Sequence, residues 1–380
     1  MSRHLLLIAT IFALTLMVGV GTSTMPPALA AVQRQFGVTP DVAGVLLSVF
    51  TLPGLVLTPL LGYGADRLGR RTVLIGSLAV FGIGGIAALW ASHFEHLVFV
   101  RLLQGIGAAA LGALNVTLIS DFFSGTERVR LLGYNHSVLS IGTAVLPVIS
   151  GFLAAIEWRL PFALPAVGLI VAIAVAGAVP SMPHSQTRSE STLGTVQRPL
   201  IVLLVVSVIT YGLLFGPFLN YVQERIRSIE PTSPVLYQQI GFMVGAMSVA
   251  TTIAALFVGR LSERVRLIVL LRIACLLYAA AMVLFLIMPT YALLLVPTVL
   301  FGIAQAFNQP VVQALVAALA PPHRLATVLS LNRTAALLGQ TLGPLVFGVV
   351  YRGAGIRGVF LSGALFALIA ALILRTNEKT

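Results

Sequence analysis

GYGADRLGRRTVL, Gly62 to Leu74, carries four charged side chains in a chain of 380 residues that is 58% hydrophobic and only 9% charged. It separates two apolar runs, about 41–63 and 72–91, each long enough to cross a hydrocarbon core of about 30 Å as a helix. A weaker copy, GRLSERVR, Gly259 to Arg266, stands 197 residues later between apolar runs at about 236–258 and 266–288. Gly259 then falls on Gly62, and Glu263-Arg264 fall on Asp66-Arg67. Two charged turns at the same place in two successions of apolar spans predict a membrane protein built twice.

Working outward, the apolar periodicity predicts twelve spans, at about 5–31, 41–63, 72–91, 96–121, 129–154, 160–180, 199–220, 236–258, 266–288, 291–318, 324–350 and 357–375. At ~21 residues each they use about 252 positions. What remains suffices for short loops and tails and leaves no room for a soluble catalytic domain. Met1 to Ala30 is read as the first helix, since no clear cleavage site follows it. The lone Cys275 excludes an intramolecular disulfide and a closed thiolate metal site. The formal charge of +12 is scattered over short loops, so no nucleic-acid surface is expected. The single polar interruption, SMPHSQTRSESTLGTVQR, Ser181 to Arg198, reads as a cytoplasmic linker. The expected organisation is an N-terminal six-helix bundle over 1–180, a linker over 181–198 and a C-terminal six-helix bundle over 199–380.

The repeat extends well beyond the turn. At the same offset Gly105 falls on Gly302, Asn135 on Asn332, Gly142 on Gly339, Pro147 on Pro344 and Gly151 on Gly348, without a gap. Six is an even number of crossings, so the two halves start on the same side and are related by an axis along the membrane normal. With the N-terminus inside, 15 Arg and Lys fall on the cytoplasmic side and 6 on the other, while Arg101 and Arg333 lie within spans. Both termini are therefore expected in the cytoplasm of a cell with this protein in its inner membrane. The fold class is all-α, polytopic, with 12 transmembrane helices in two pseudo-symmetric six-helix bundles.

The Gly62–Leu74 turn resembles the signature G-x-x-x-D-R-x-G-R-[KR] of the major facilitator superfamily, with every fixed position present. Gly62 and Gly69 suit close backbone approach and a tight reversal, and Asp66, Arg67, Arg70 and Arg71 suit a charged latch at the cytoplasmic mouth. The resemblance implies Asp121, at the inner end of the fourth span, as the partner of Arg70. A topological anchor that obeys the positive-inside rule is the alternative, although Asp66 contributes nothing to that rule. The copy at Glu263 and Arg264 lacks the second glycine, so one half is expected to latch more firmly than the other.

RLLQGIGAAALGAL, Arg101 to Leu114, resembles the superfamily's fourth-helix pattern, in which the corresponding Arg is associated with proton coupling. Arg101 is expected either to bond backbone carbonyls in the interior or to snorkel to outer headgroups. GYNHSVLSIGTAVLPVISGFL, Gly133 to Leu153, is similar to the antiporter motif of the twelve-span drug and proton exchangers at Gly133, Gly142, Pro147 and Gly151. It departs from that motif at Leu146 and Ser150. Gly343-Pro344 and Gly348 repeat the pattern in the eleventh span. These residues suit close packing and a kink at the seam, and ordinary packing accounts for them equally. TMPPALAAVQRQFG, Thr24 to Gly37, with Asp41 after it, and WRLPF, Trp158 to Phe162, are in the same style.

In this family the resemblance implies that helices one, four, seven and ten line the substrate cavity. The candidates are Thr22, Ser23, Asn115, Thr117, Tyr211, Asn220, Gln305, Asn308, Gln309 and Gln313, with Phe215, Phe218, Met243, Met247 and Phe307 around them. A neutral pocket rich in Met and aromatic groups suits broad recognition. All eleven acids lie in loops or within about two turns of a span end, so the mid-membrane carboxylate of several drug exchangers is missing. Two deep ionisable groups superimpose at the 197-residue offset, His136 and Arg333. His136 is a candidate proton carrier, since an imidazole titrates near neutral pH, or a neutral group bonding a carbonyl. Arg333 is a candidate anchor for an anionic substrate, or an interhelical tie.

The expected function is proton-coupled, alternating-access efflux of small amphipathic compounds of multidrug type. A dedicated carrier of an organic anion or polar metabolite is the alternative, and a non-transporting membrane receptor or scaffold is the alternative of another class. No enzyme activity, metal or cofactor other than the coupling proton is expected. The expected partners are a small-molecule substrate and the lipid bilayer, with no nucleic acid, and the monomer is the expected functional unit.

Overall fold

The computed structural model describes residues 3–180, 198–321 and 325–376; the polar linker 181–197 lies outside the described residues. Every regular element among the described residues is helical. The first span is α1 (Arg3–Ser23) followed by α2 (Met25–Phe36), and spans two and three are α3 (Pro40–Leu68) and α4 (Arg70–Ala87). The fourth is α5 (Phe94–Ala108) with α6 (Leu111–Phe122), the fifth is α7 (Gly125–Ile156), and the sixth is α8 (Leu160–Ala163) with α9 (Val167–Ala178). The seventh joins α10 (Arg198–Leu213), a π-helical stretch (Leu214–Tyr221) and α11 (Val222–Ile229). There follow α12 (Leu236–Ser262), α13 (Leu267–Ile287), α14 (Tyr291–Leu319) and α15 (Leu325–Thr376).

Eleven described helices are long and apolar enough to cross a membrane, the last of them spanning 48 residues from Thr327 to Leu374. At 1.5 Å per residue that helix would be about 72 Å long, more than twice the hydrocarbon core. It is two crossings, because Gly355 sits at φ 61°, ψ −164° and breaks the helical path. The twelve spans of the sequence are recovered where a glycine without a Cβ takes a conformation other residues avoid.

Several spans depart from simple rods. The first breaks at Thr24, where Pro26 and Pro27 open a new helix. The seventh outruns its expected end at 220: the π-helical stretch accommodates Pro217, which has no N–H, and the helix continues to Ile229.

The chain forms two compact units, residues 1–37 with 49–188, and residues 38–48 with 189–380. The first turns of α3 therefore belong with the second unit, a departure from a boundary placed in the linker alone. Each unit has its own apolar core, with Leu14, Leu78, Phe81 and Leu111 in the first and Val206, Leu270, Cys275 and Val312 in the second.

Lipid offers little hydrophobic drive for helices to associate, so close approach through small residues carries much of the packing. Gly105 on α5 lies against the backbone carbonyl of Phe50, and Gly302 on α14 lies against that of Met247. Both glycines and both carbonyls are related by the 197-residue offset, so the repeat is a repeat of contacts. In the second unit Gly339 and Gly343 of α15 lie against the backbone of Val208 and Gly212 on α10.

A methyl group at Gly105 would meet the Phe50 carbonyl, whereas one at Gly177 meets nothing within 4 Å. Gly105→Ala is expected to lower stability by about 1–3 kcal/mol and Gly177→Ala to leave it nearly unchanged, as read by thermal unfolding in detergent.

Candidate functional site

The charged turn between α3 and α4 is built on one residue. Gly69 has φ +87° and reverses the chain between the end of α3 at Leu68 and the start of α4 at Arg70. Arg70 forms an ion pair with Asp121 on α6, each side chain about one quarter exposed. Arg71 donates to the carbonyl of Ala176 near the end of α9. Arg67 is exposed and lies 4.5 Å from the ring centroid of Tyr63. The surroundings of Gly62 and the Asp66 side chain lie outside the described residues. The turn thus ties α4 to the ends of two other spans in the same unit. Its copy differs: Glu263 and Arg264 are exposed, with no ion pair among the described residues.

Arg101 is 1% exposed. Its guanidinium donates to Gln104 Oε1 and to the carbonyl of Gly21, both at 2.8 Å, and sits 4.0 Å from the ring centroid of Phe50. Gln104 in turn donates to the carbonyl of Phe162 at 2.8 Å. The snorkelling alternative is thereby removed: hydrogen bonds and an aromatic face hold this cation inside the unit.

The buried amides form interhelical ties. In the first unit Thr15 donates to Asn135, Asn135 Nδ2 donates to Asn115 Oδ1 at 2.9 Å, and Asn115 Nδ2 reaches Thr15 and the Ile11 carbonyl, both at 3.0 Å. In the second unit Ser207 donates to Asn332 at 2.7 Å and Asn308 Nδ2 donates to Thr210 at 3.0 Å. The paired asparagines of the repeat thus each accept from a hydroxyl on the first helix of their half. Tyr278 donates to Gln305, and the buried Asn308 Oδ1 has no hydrogen-bond partner among the described residues.

These contacts show how several cavity candidates are held. Asn115 is buried with its amide engaged between helices, and Asn220 is fully buried and donates to the carbonyl of Pro40 at 3.2 Å. Phe215, Met243 and Met247 are buried, and Phe218 stacks on Phe301 at 4.6 Å. Hydroxyl and amide groups here find partners in neighbouring helices, so an amide in a span can serve as a tie. Thr22, Ser23 and Tyr211 are half-buried, and Gln309, His136 and Arg333 are exposed. Tyr211 lies in the field of Arg333. His136 has no hydrogen bond among the described residues, so the carbonyl-bonded alternative is not the arrangement found.

Pro147 and Pro344 lie inside continuous helices. Gly142 meets the side chains of Leu16 and Leu146, while Gly343 meets the Gly212 backbone; Gly151 is buried. Ser150, where the exchanger motif has Gly, donates to the carbonyl of Thr24 at 2.5 Å, at the break between α1 and α2. Sequence reasoning missed one pairing: the Asp41 carboxylate accepts from Arg352 Nε at 2.6 Å. The signal was an acid at the mouth of an apolar span, a position that demands a partner.

The model of the Major Facilitator Superfamily matches residues 11–238 and 231–380. The chain belongs to the Major Facilitator Superfamily. It is 33% identical over 165 residues to the class B tetracycline resistance protein of Escherichia coli, covering 43% of this chain and 41% of that protein. It is 28% identical over 162 residues to the bacillibactin exporter of Bacillus subtilis (strain 168), covering 41% and 40%. These matches span about two fifths of each relative. The superfamily fold extends over the whole chain: a crystal structure of the nucleoside transporter NupG superimposes with a TM-score of 0.80 at 16% identity, covering 100% of both chains.

Replacing Arg101 by Leu would leave the Gly21 carbonyl and Gln104 Oε1 without their donor. Arg101→Leu is expected to lower stability by about 1–3 kcal/mol, and Gln309→Leu, at an exposed position, by far less. Detergent unfolding curves of the two variants test this.

Proposed function

We propose that the chain is a secondary active transporter that exports small amphipathic compounds by alternating access, with the proton as coupling ion. The Arg70–Asp121 ion pair, which fixes the charged turn to the fourth span, is the observation that carries this reading. A latch of this type, formed in one conformation and broken in another, biases two states of similar free energy. Relatives that include a tetracycline resistance protein and a bacillibactin exporter support export and a drug-like substrate. The protein acts as a monomer in the inner membrane with both termini in the cytoplasm, and the excess of Arg and Lys on that side supports the orientation.

A dedicated carrier of an organic anion is the second reading. The exposed Arg333 supports it, because a cation in a span attracts an anionic group. The experiment that separates the two is flux through the reconstituted protein under an imposed pH gradient, with ethidium, chloramphenicol and benzoate as cationic, neutral and anionic probes. Movement of the first two supports the multidrug reading, and movement of benzoate alone supports the anion carrier. No flux of any probe counts against both.

If the pair is a latch, Asp121→Asn is expected to slow flux about tenfold while leaving the half-saturating concentration nearly unchanged, a loss of about 1.4 kcal/mol in the rate-limiting step. The exchange of Arg70→Asp with Asp121→Arg is expected to recover most of the rate. Initial rates in liposomes over a range of probe concentration check both.

A further inference from the structure

No acid lies near the middle of a span, so a proton-coupled cycle needs another titrating group. The candidate is at the start of α3, at the opposite end of that helix from the charged turn. The Asp41 side chain is only 4% exposed, although its partner Arg352 is 69% exposed. A carboxylate is thus held inside by a cation that reaches in from the surface. Around it the first turns of α3 are fastened within the second unit. Asn220 donates to the Pro40 carbonyl at 3.2 Å, Ser48 donates to the Thr341 carbonyl at 2.7 Å, and a Cβ at Gly44 would press on the Asn220 amide.

Beside this fastening are polar atoms with nothing to bind. Asn220 Oδ1, the Tyr221 hydroxyl and Gln223 Oε1 are buried without a hydrogen-bond partner among the described residues, and all three residues are at most 2% exposed. Such orphans are costly. Two of them are pure acceptors and the third both accepts and donates, so what the cluster lacks is a donor. The Tyr221 hydroxyl and Asp41 Cβ flank the same glycine, at 3.8 and 3.3 Å from where a Cβ of Gly348 would stand. Protonation would turn the Asp41 carboxylate, which shares this neighbourhood, from an acceptor into a donor.

We propose that Asp41 is the coupling-proton site, and that its protonation releases Arg352 and unfastens the start of α3 from α15 and the π-helical stretch. This rests on the proton-coupled reading above. The step balances simply: the carboxylate takes a proton from hydronium in the adjoining water, the water departs, and the guanidinium keeps its charge and loses its partner. The neutral acid then has one O–H to donate, enough for one of the orphaned acceptors. The other titratable and charged groups around the site are Tyr221 on the π-helical stretch, Tyr351 beside Arg352 on α15, and the Glu224–Arg227 pair on α11, closed at 3.3 Å.

The test uses the proton as its probe and needs no substrate. In full-length protein with Cys275→Ala, nitroxides are placed by Val38→Cys and Thr232→Cys, the first at a half-buried and the second at an exposed position. Their distance is read by pulsed dipolar spectroscopy in nanodiscs between about pH 8 and about pH 4, the lower limit lying near the unperturbed Asp pKa of about 3.9. The expected result is a longer-distance population that grows as pH falls. In Asp41→Asn it should predominate at every pH, and in Glu224→Gln the pH dependence should persist. Arg352→Gln, which keeps the carboxylate, should also favour the longer distance at pH 8. A distance that ignores pH in the parent protein overturns the proposal, as does a pH dependence that survives in Asp41→Asn. Absence of pH-driven flux in the liposome assay, with these distances still responding to pH through Asp41, would instead remove the transport reading.

Discussion

In hydrocarbon a helix satisfies its own backbone and gains little from meeting another apolar helix, so any defined arrangement depends on close steric fit and on a few polar contacts. Both are visible here. Glycines at 105, 302, 339 and 343 bring backbones together, and buried hydroxyl–amide ties fix which helix neighbours which. Charged side chains are the conspicuous exceptions, and three of them have built environments. Arg101 is enclosed by Gly21, Gln104 and Phe50; Arg70 meets Asp121; Asp41 meets Arg352.

Most of the architecture was legible because its signals are long and periodic. Twenty-residue apolar runs mark spans, and a repeat at constant offset marks two halves. Even the merger of the last two spans into one helical stretch keeps the expected break, since Gly355 takes a positive φ there. The breaks within spans were less legible. The π-helical stretch at Leu214–Tyr221 depends on how Pro217 is accommodated, and a sequence that continues apolar on both sides gives no sign of it.

The site was legible by residue type and less so by role. Arg70 could be paired with Asp121 because the resemblance to the superfamily implies that partner and Asp121 stands at the inner end of the fourth span. Asn115 and Asn220 could not be sorted into lining or tying groups, since an amide serves both roles with the same atoms. Only the partner decides, and here the partners are Thr15, Ile11 and Asn135 in one case and Pro40 in the other. Asp41 was noticed but not paired, because Arg352 is 311 positions away and no local rule joins them.

The central claim is that one set of span-lining groups faces water on each side of the membrane in turn. The direct measurement places a single cysteine by Gln309→Cys in a Cys275→Ala chain and applies a membrane-impermeant thiol reagent to one or the other face of oriented vesicles. The account predicts modification from both faces, with the ratio between them shifting when a pH gradient is imposed. Modification from one face alone, unchanged by the gradient, would contradict it.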